Sequence, residues 1–204
     1  MQGLARYCTP LFRMQLVLAS TSRYRRALLE RLGMPFAVAD SGIPEEPHSG
    51  ETPEHTARRL AETKARAVAH RFREALIVGC DQVAVANGEV FGKPGNHQNA
   101  VRQLRALSGQ EAVFHTAVCV YNTASGVART RVVACRVAFR TLDDGAIERY
   151  LAREQPYDCA GSAKSEGLGI ALIAKMEGED PNALVGLPLI ALVDLLREQG
   201  MDVL

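Results

Sequence analysis

The chain turns from strand to helix within a few residues of its start, and that turn constrains the fold more than any other segment. Leu16-Val17-Leu18 is an apolar strand-like run that stops at Ala19-Ser20, and Ala27, Leu28, Leu29 and Leu32 then recur at helical spacing. Between them lies Ser20-Thr21-Ser22-Arg23-Tyr24-Arg25-Arg26. Hydroxyls at the mouth of a helix satisfy its first free N–H groups, whose partial positive charge attracts anions. Arg25, one turn on, has the fork geometry that matches phosphate oxygens. Taken alone, the same segment is equally an ordinary serine cap followed by solvated arginines.

The alternation continues along the chain and predicts an α/β protein. Gly33 stops the first helix, and Phe36-Ala37-Val38 is a short strand. Residues 40–52, rich in Pro, Gly, Ser and Glu, form a loop. Thr52-Pro53-Glu54 opens a helix whose apolar face carries Ala57, Leu60, Ala61, Ala65 and Val68. Ala75-Leu76-Ile77-Val78 is the clearest buried strand. Val83–Ala86, Asn87-Gly88 and Glu89–Phe91 spell a hairpin with a tight two-residue turn. Asn96 to Leu107 is a helix closed by Ser108-Gly109, and residues 112–121 and 127–140 are long antiparallel neighbours. Thr141 and Asp144 cap a helix containing Ile147 and Leu151, and residues 187–199 form the last helix, ended by Gly200.

No repeat or linker divides the sequence, so residues 14–204 are expected to form one domain, two-lobed around a cleft. Residues 1–13 precede the first strand and lack the apolar core of a signal peptide. They are expected to be a dispensable extension or the product of a misplaced start codon. A formal net charge of +1 over 204 residues provides no field favouring nucleic acid or an acidic membrane. No apolar run approaches the roughly 20 residues of a membrane helix. The five cysteines are widely scattered without metal or redox spacing, which predicts free thiols and a cytoplasmic protein.

The polar residues that interrupt the pattern need reasons. Asp81 follows Ile77-Val78-Gly79-Cys80, where open α/β sheets bind ligands, and burial raises a carboxyl toward a useful base; the plainer alternative is a turn-capping Asp. Gly92-Lys93-Pro94 presents a lysine in a rigid bend, fit to hold a phosphate or simply to be solvated. Gly161-Ser162-Ala163-Lys164-Ser165-Glu166-Gly167 is a glycine-framed loop with the makings of an anion nest, although such loops are mostly structural. Glu45 sits in the Pro-rich loop as an ordinary solvated acid. Lys64 breaks an apolar helix face, where snorkelling to water is the common outcome.

Together and in this order, these residues resemble the Maf-like nucleotide pyrophosphatases. The resemblance rests on Ser20-Thr21-Ser22-Arg23-Tyr24-Arg25-Arg26, Glu45-Glu46-Pro47 and Leu60-Ala61-Glu62-Thr63-Lys64-Ala65. Gly79-Cys80-Asp81, Gly92-Lys93-Pro94, Leu104-Arg105-Ala106-Leu107-Ser108-Gly109 and Ala160-Gly161-Ser162 extend it from about Met14 to Gly200. It implies a two-lobed α/β fold of the Maf/ITPase type around an elongated mixed sheet, with a nucleotide in the central cleft. The implied reaction splits a nucleoside triphosphate between its α and β phosphates, with a divalent metal, Mg²⁺ or Mn²⁺, as cofactor. Asp81 matches the family's proton acceptor, and Ser20, Ser22, Arg25, Lys64 and Lys93 meet the phosphate charge. Glu45 and Asp81 are the expected metal ligands, since hard cations prefer carboxylate oxygens. Dimers are common in the family, so a homodimer is compatible with the resemblance.

Base choice in the family is tied to three positions, here Tyr24, Gln82 and Glu166, and this trio resembles the subgroup acting on 7-methyl-GTP. A 7-methylated guanine is cationic, so an aromatic face gains cation–π attraction. Glu166 suits the guanine N1–H and N2–H₂ donors, and Gln82 offers a donor or acceptor to the base edge. The sequence departs from the family where Arg23 replaces the usual Pro, Tyr24 a Trp, and Pro44 an Asp. Two alternatives accompany this reading. One is dTTP and UTP hydrolysis by a sister specificity; the other is a non-catalytic nucleotide sensor regulating septum formation.

Overall fold

Alternating side chains of β1 (Gln15–Leu18) and β3 (Ala75–Ala86) face opposite sides of a sheet, and both sides are covered by helices. The structure, a computed structural model, describes residues 14–204, so the extension expected at residues 1–13 lies outside the described residues. Leu16, Leu18, Leu76 and Val78 pack with Leu28 and Leu29 of α1 (Arg23–Glu30) and Leu192, Leu195 and Leu196 of α5 (Leu189–Glu198). Val17, Ala19, Ala75 and Ile77 pack on the other side with Ala57, Ala61 and Ala65 of α2 (Pro53–Ala67). A strand buried on both faces has no polar alternation, which is why these runs are continuously apolar.

Among the described residues the sheet has seven strands, in the order β2 (Phe36–Val38), β1, β3, β5 (Glu111–Asn122), β6 (Ala128–Phe139) and β7 (Ile173–Gly178), with β4 (Glu89–Phe91) paired to the far end of β3. β2 and β3 flank β1 in parallel, whereas β5, β6 and β7 follow antiparallel. This is the mixed α/β architecture expected. A separate core gathers Phe91, Leu104, Leu107, Phe114, Ile147 and Leu151 around α3 (His97–Leu107) and α4 (Asp144–Glu154). The long strands β3 and β5 contribute to both cores, Leu76, Val78, Val118 and Val120 to the first and Ala84, Ala86, Ala112 and Phe114 to the second.

Two local expectations are corrected, and one strand stands where the sequence carried no signal for it. The buried strand does not stop at Val78: β3 runs unbroken through Asp81 and Gln82 to Ala86, because β5 pairs with it from Leu76 to Val85. Asp81 is therefore a mid-strand residue opposite Ala117, not a residue of a strand-ending turn. The cap of α4 is Asp143, whose carboxylate accepts from Ala146 N at 2.6 Å, not the pair Thr141 and Asp144. Finally, Ile173–Gly178 is a strand with only Ile173 buried, so its edge position left no apolar signature.

One glycine explains the close packing around Asp81. Gly79 lies two residues before it on the same face of β3, and a Cβ there would run into the backbone of Ala61 and Ala65 of α2. The bare glycine lets α2 lie directly on the strand. At the hairpin tip, Asn87 and Gly88 both take positive φ, 51° and 80°, as a tight turn matching the strand twist demands.

Candidate active site

The close approach of α2 to β3 brings Lys64 against Asp81. Lys64 is almost fully buried, and its Nζ donates to Asp81 Oδ1 at 2.6 Å and contacts Glu45 Oε1 at 2.7 Å. The lysine does not snorkel to bulk water, since two carboxylates hold it. Glu45, carried on the loop between β2 and α2, stays half exposed. Burial pushes the Asp81 carboxyl above its ordinary range, against the lowering influence of Lys64 and Arg25. Glu45 goes the other way: burial raises it, but Lys64, with Lys93 and Arg25 nearby, holds it below the usual value. Two carboxylates on one ammonium thus have opposite tendencies, the pattern expected of groups with different tasks.

Two cavities, of about 360 and 560 Å³, meet at this cluster and share Arg25, Glu45, Lys64 and Lys93 in their walls. The smaller is lined by Ser20, Thr21 and Ser22 from the turn after β1, by Tyr24 and by Glu166. The larger holds Asp81 and Gln82 and is walled by apolar groups such as Leu60, Val90 and Phe91. Three cations against two carboxylates leave the junction with an excess of positive charge in a recess, which favours a polyanion.

The serine turn caps the first helix, as foreseen. Ser20 Oγ accepts from Ser22 N at 3.2 Å, and Ser22 is the N-cap of α1, accepting from Arg25 N at 3.4 Å. The capped turn remains in the cavity wall. Arg25 Nε donates to Gly186 O at 3.0 Å, which fixes the guanidinium at the junction against the turn preceding α5.

The structure brings Tyr24 and Glu166 to one cavity and puts Gln82 in the other. The Gln82 amide nitrogen donates to Thr116 Oγ1 at 2.9 Å and to Ala183 O and Leu184 O at 3.0 and 3.1 Å. Its donor is spent on the turn whose Leu184, Val185 and Gly186 line the smaller cavity. In the glycine-framed loop, Ser162 is fully buried with its hydroxyl donating to Gln103 Oε1 at 2.6 Å, and Lys164 pairs with Glu154. Those side chains hold the loop, and Ala163 and Glu166 face the cavity. Two lining residues carried no sequence signal, Asp158 and Cys159, because their place follows from the chain path after α4 and not from a motif.

Among the described residues no group of three or more His, Cys, Asp and Glu is arranged to hold a metal ion unaided. Glu45 and Asp81 are oxygen donors of the kind a hard cation takes, and Lys64 holds one oxygen of each. Mg²⁺ commonly takes one or two carboxylates and completes its shell with phosphate oxygens and water.

A family model described as Maf-like protein matches residues 15–199. A protein of Methylobacillus flagellatus named 7-methyl-GTP pyrophosphatase is 59% identical over 189 residues, covering 93% of this chain and 98% of that protein. One of Nitrosospira multiformis with the same name is 57% identical, covering 93% and 96%. One of Vibrio vulnificus, again so named, is 53% identical over 190 residues, covering 93% and 97%.

Proposed function

The chain belongs to the Maf-like family, and on that footing we propose that it is a nucleotide pyrophosphatase cleaving 7-methyl-GTP into 7-methyl-GMP and diphosphate. The observation that carries the chemistry is the buried Lys64–Asp81 contact at a junction lined by Arg25 and Lys93. The substrate comes from relatives bearing that name over nearly their full length.

The triphosphate lies along the junction, with Arg25, Lys64 and Lys93 on its non-bridging oxygens and Ser20 and Ser22 shaping the turn beside it. Among the described residues only Oδ1 of Asp81 is engaged, by Lys64, which leaves Oδ2 to accept a proton. Asp81 takes that proton from a water attacking the α phosphorus. The new P–O bond forms as the bond from the α phosphorus to the bridging oxygen breaks, and diphosphate leaves with the electron pair. Preorganised cations stabilise charge that develops on the leaving oxygens without reorganising at that moment. Glu45 and Asp81 would hold Mg²⁺ or Mn²⁺, which when bound supplies further neutralisation of phosphate charge.

Tyr24 provides the stacking face and Glu166 the carboxylate for the base. Gln82 acts through the 183–186 turn, positioning the wall instead of reading the base edge. The enzyme works in the cytoplasm, where thiols such as Cys80, Cys119, Cys135 and Cys159 stay reduced. The test is diphosphate release from 7-methyl-GTP with Mg²⁺ or Mn²⁺. Turnover giving equal amounts of 7-methyl-GMP and diphosphate supports the reading. Release of single phosphates, or no hydrolysis, sinks it.

A further inference from the structure

Three groups at the mouth of the smaller cavity form a closed set. Arg23 lies over the Tyr24 ring, its guanidinium carbon 4.8 Å from the centroid, and donates through Nη2 to the Tyr24 hydroxyl at 2.6 Å. That hydroxyl in turn donates to Asp158 Oδ1 at 3.1 Å, and Arg23 Nη2 stands 3.5 Å from Asp158 Oδ2. All three line the cavity that also holds Glu166. A planar cation thus touches both an aromatic ring and a carboxylate that are in contact with each other, the two groups that a planar cationic base requires. The Arg23 side chain is 71% exposed, so its ion pair is screened and cheap to break.

We propose that Asp158 is a second specificity-determining carboxylate for the base, and that Arg23 is the resident cation that the base displaces. The inference rests on the 7-methyl-GTP reading and adds a residue to it. When a 7-methylated guanine enters, its positive charge replaces that of Arg23 over Tyr24 and beside Asp158, and Arg23 swings into water. A neutral base also has to move Arg23, but it restores neither the cation–π contact nor the charge opposite Asp158. Discrimination therefore comes from Tyr24, Asp158 and Glu166 together, while Arg23 imposes the same displacement cost on every base.

These roles differ in sign, which makes them separable. The experiment measures kcat/KM for 7-methyl-GTP and GTP, which differ by one methyl group and its charge, in the wild-type chain, Asp158→Asn and Arg23→Met. The ratio of the two values cancels the concentration of active enzyme, so partial misfolding does not alter it. Asp158→Asn should lower the ratio by about 2- to 5-fold, the worth of one ion contact at a half-exposed carboxylate. Asp158→Glu should recover most of it. Arg23→Met should lower KM for 7-methyl-GTP by about 2- to 5-fold, since an exposed competitor is gone.

An unchanged ratio in Asp158→Asn overturns the inference, and so does a raised KM in Arg23→Met, which would make Arg23 a substrate ligand. The wild-type ratio reports separately on the substrate reading. A wild-type chain that does not prefer 7-methyl-GTP removes that reading and the inference with it, whereas a clear wild-type preference with unaltered variants removes the inference alone.

Discussion

Lys64 Nζ stands 2.6 Å from Asp81 Oδ1, and both side chains are more than nine-tenths buried. Helix α2 supplies the ammonium, strand β3 the carboxylate, and Gly79 lets the two elements lie close enough for the contact. An ammonium held in this way keeps a buried carboxylate ionised while leaving one of its oxygens available. Replacing Asp81 by Asn preserves the shape and removes the proton acceptor. Asp81→Asn should lower kcat by roughly 10²–10⁴-fold, the usual worth of a general base. Near-normal turnover would remove Asp81 from the chemistry.

The rate should fall in acid at a pH above the ordinary aspartate range. Burial raises the Asp81 carboxyl, so as the pH falls its basic form is lost earlier than in an exposed aspartate. Lys64 opposes that rise. Lys64→Met removes the opposing charge, and the acid limb of the kcat/KM profile should move to higher pH. A limb that stays in place or moves down would show that Lys64 does not tune Asp81.

Gly79→Ala should destabilise the chain by about 3 kcal/mol, because a methyl group there meets the α2 backbone, with Ala65 N only 2.8 Å away. Helix backbone cannot yield as a flexible side chain can. Because displacing α2 also draws Lys64 from Asp81, kcat should fall together with stability. Chemical denaturation beside a turnover assay checks both, and an unchanged midpoint would contradict the packing argument.

The parts of this account that could be read in the chain are those set by local pattern. The βα turn, the Thr52 cap with Pro53 behind it, and the Asn87-Gly88 hairpin all depend on residues adjacent in sequence. Tertiary pairing decided the rest. Nothing near Asp81 announces that β5 continues to pair past Val78, so a mid-strand aspartate looked like a turn residue. Lys64 looked like a snorkelling lysine because its two partners lie on distant segments. Gln82 is bonded to Ala183 and Leu184, roughly half the chain away, and its separation from Tyr24 and Glu166 could be seen only in three dimensions. Asp158 likewise carries no local signal, since its place in the cavity wall follows from the chain path.

Glu51 anchors the loop carrying Glu45 to α2, accepting from Arg59 Nε and Nη2 at 2.7 and 2.8 Å, Thr56 Oγ1 at 3.0 Å and His48 N at 3.0 Å. The Arg59 bonds foremost, with those from His48 and Thr56, hold its carboxyl down at about 2. A carboxyl depressed on folding adds stability that is fully present above its ordinary value of 4.5 and is lost as the pH falls toward 2. Melting temperature followed across that window should drop more steeply in the wild type than in Glu51→Gln. Parallel curves would mean that the Arg59 pair does not stabilise the fold.

The central claim is that a phosphate-gripping junction is joined to a wall selective for a cationic base. Initial rates of diphosphate release from 7-methyl-GTP, GTP, UTP and dTTP, compared at matched concentration with Mg²⁺ or Mn²⁺, test it most directly. The account predicts the highest kcat/KM for 7-methyl-GTP, with GTP well below it. A preference for UTP and dTTP would leave Asp81, Lys64 and Arg25 in their roles but contradict the assignment of Tyr24 and Glu166 to a methylated purine.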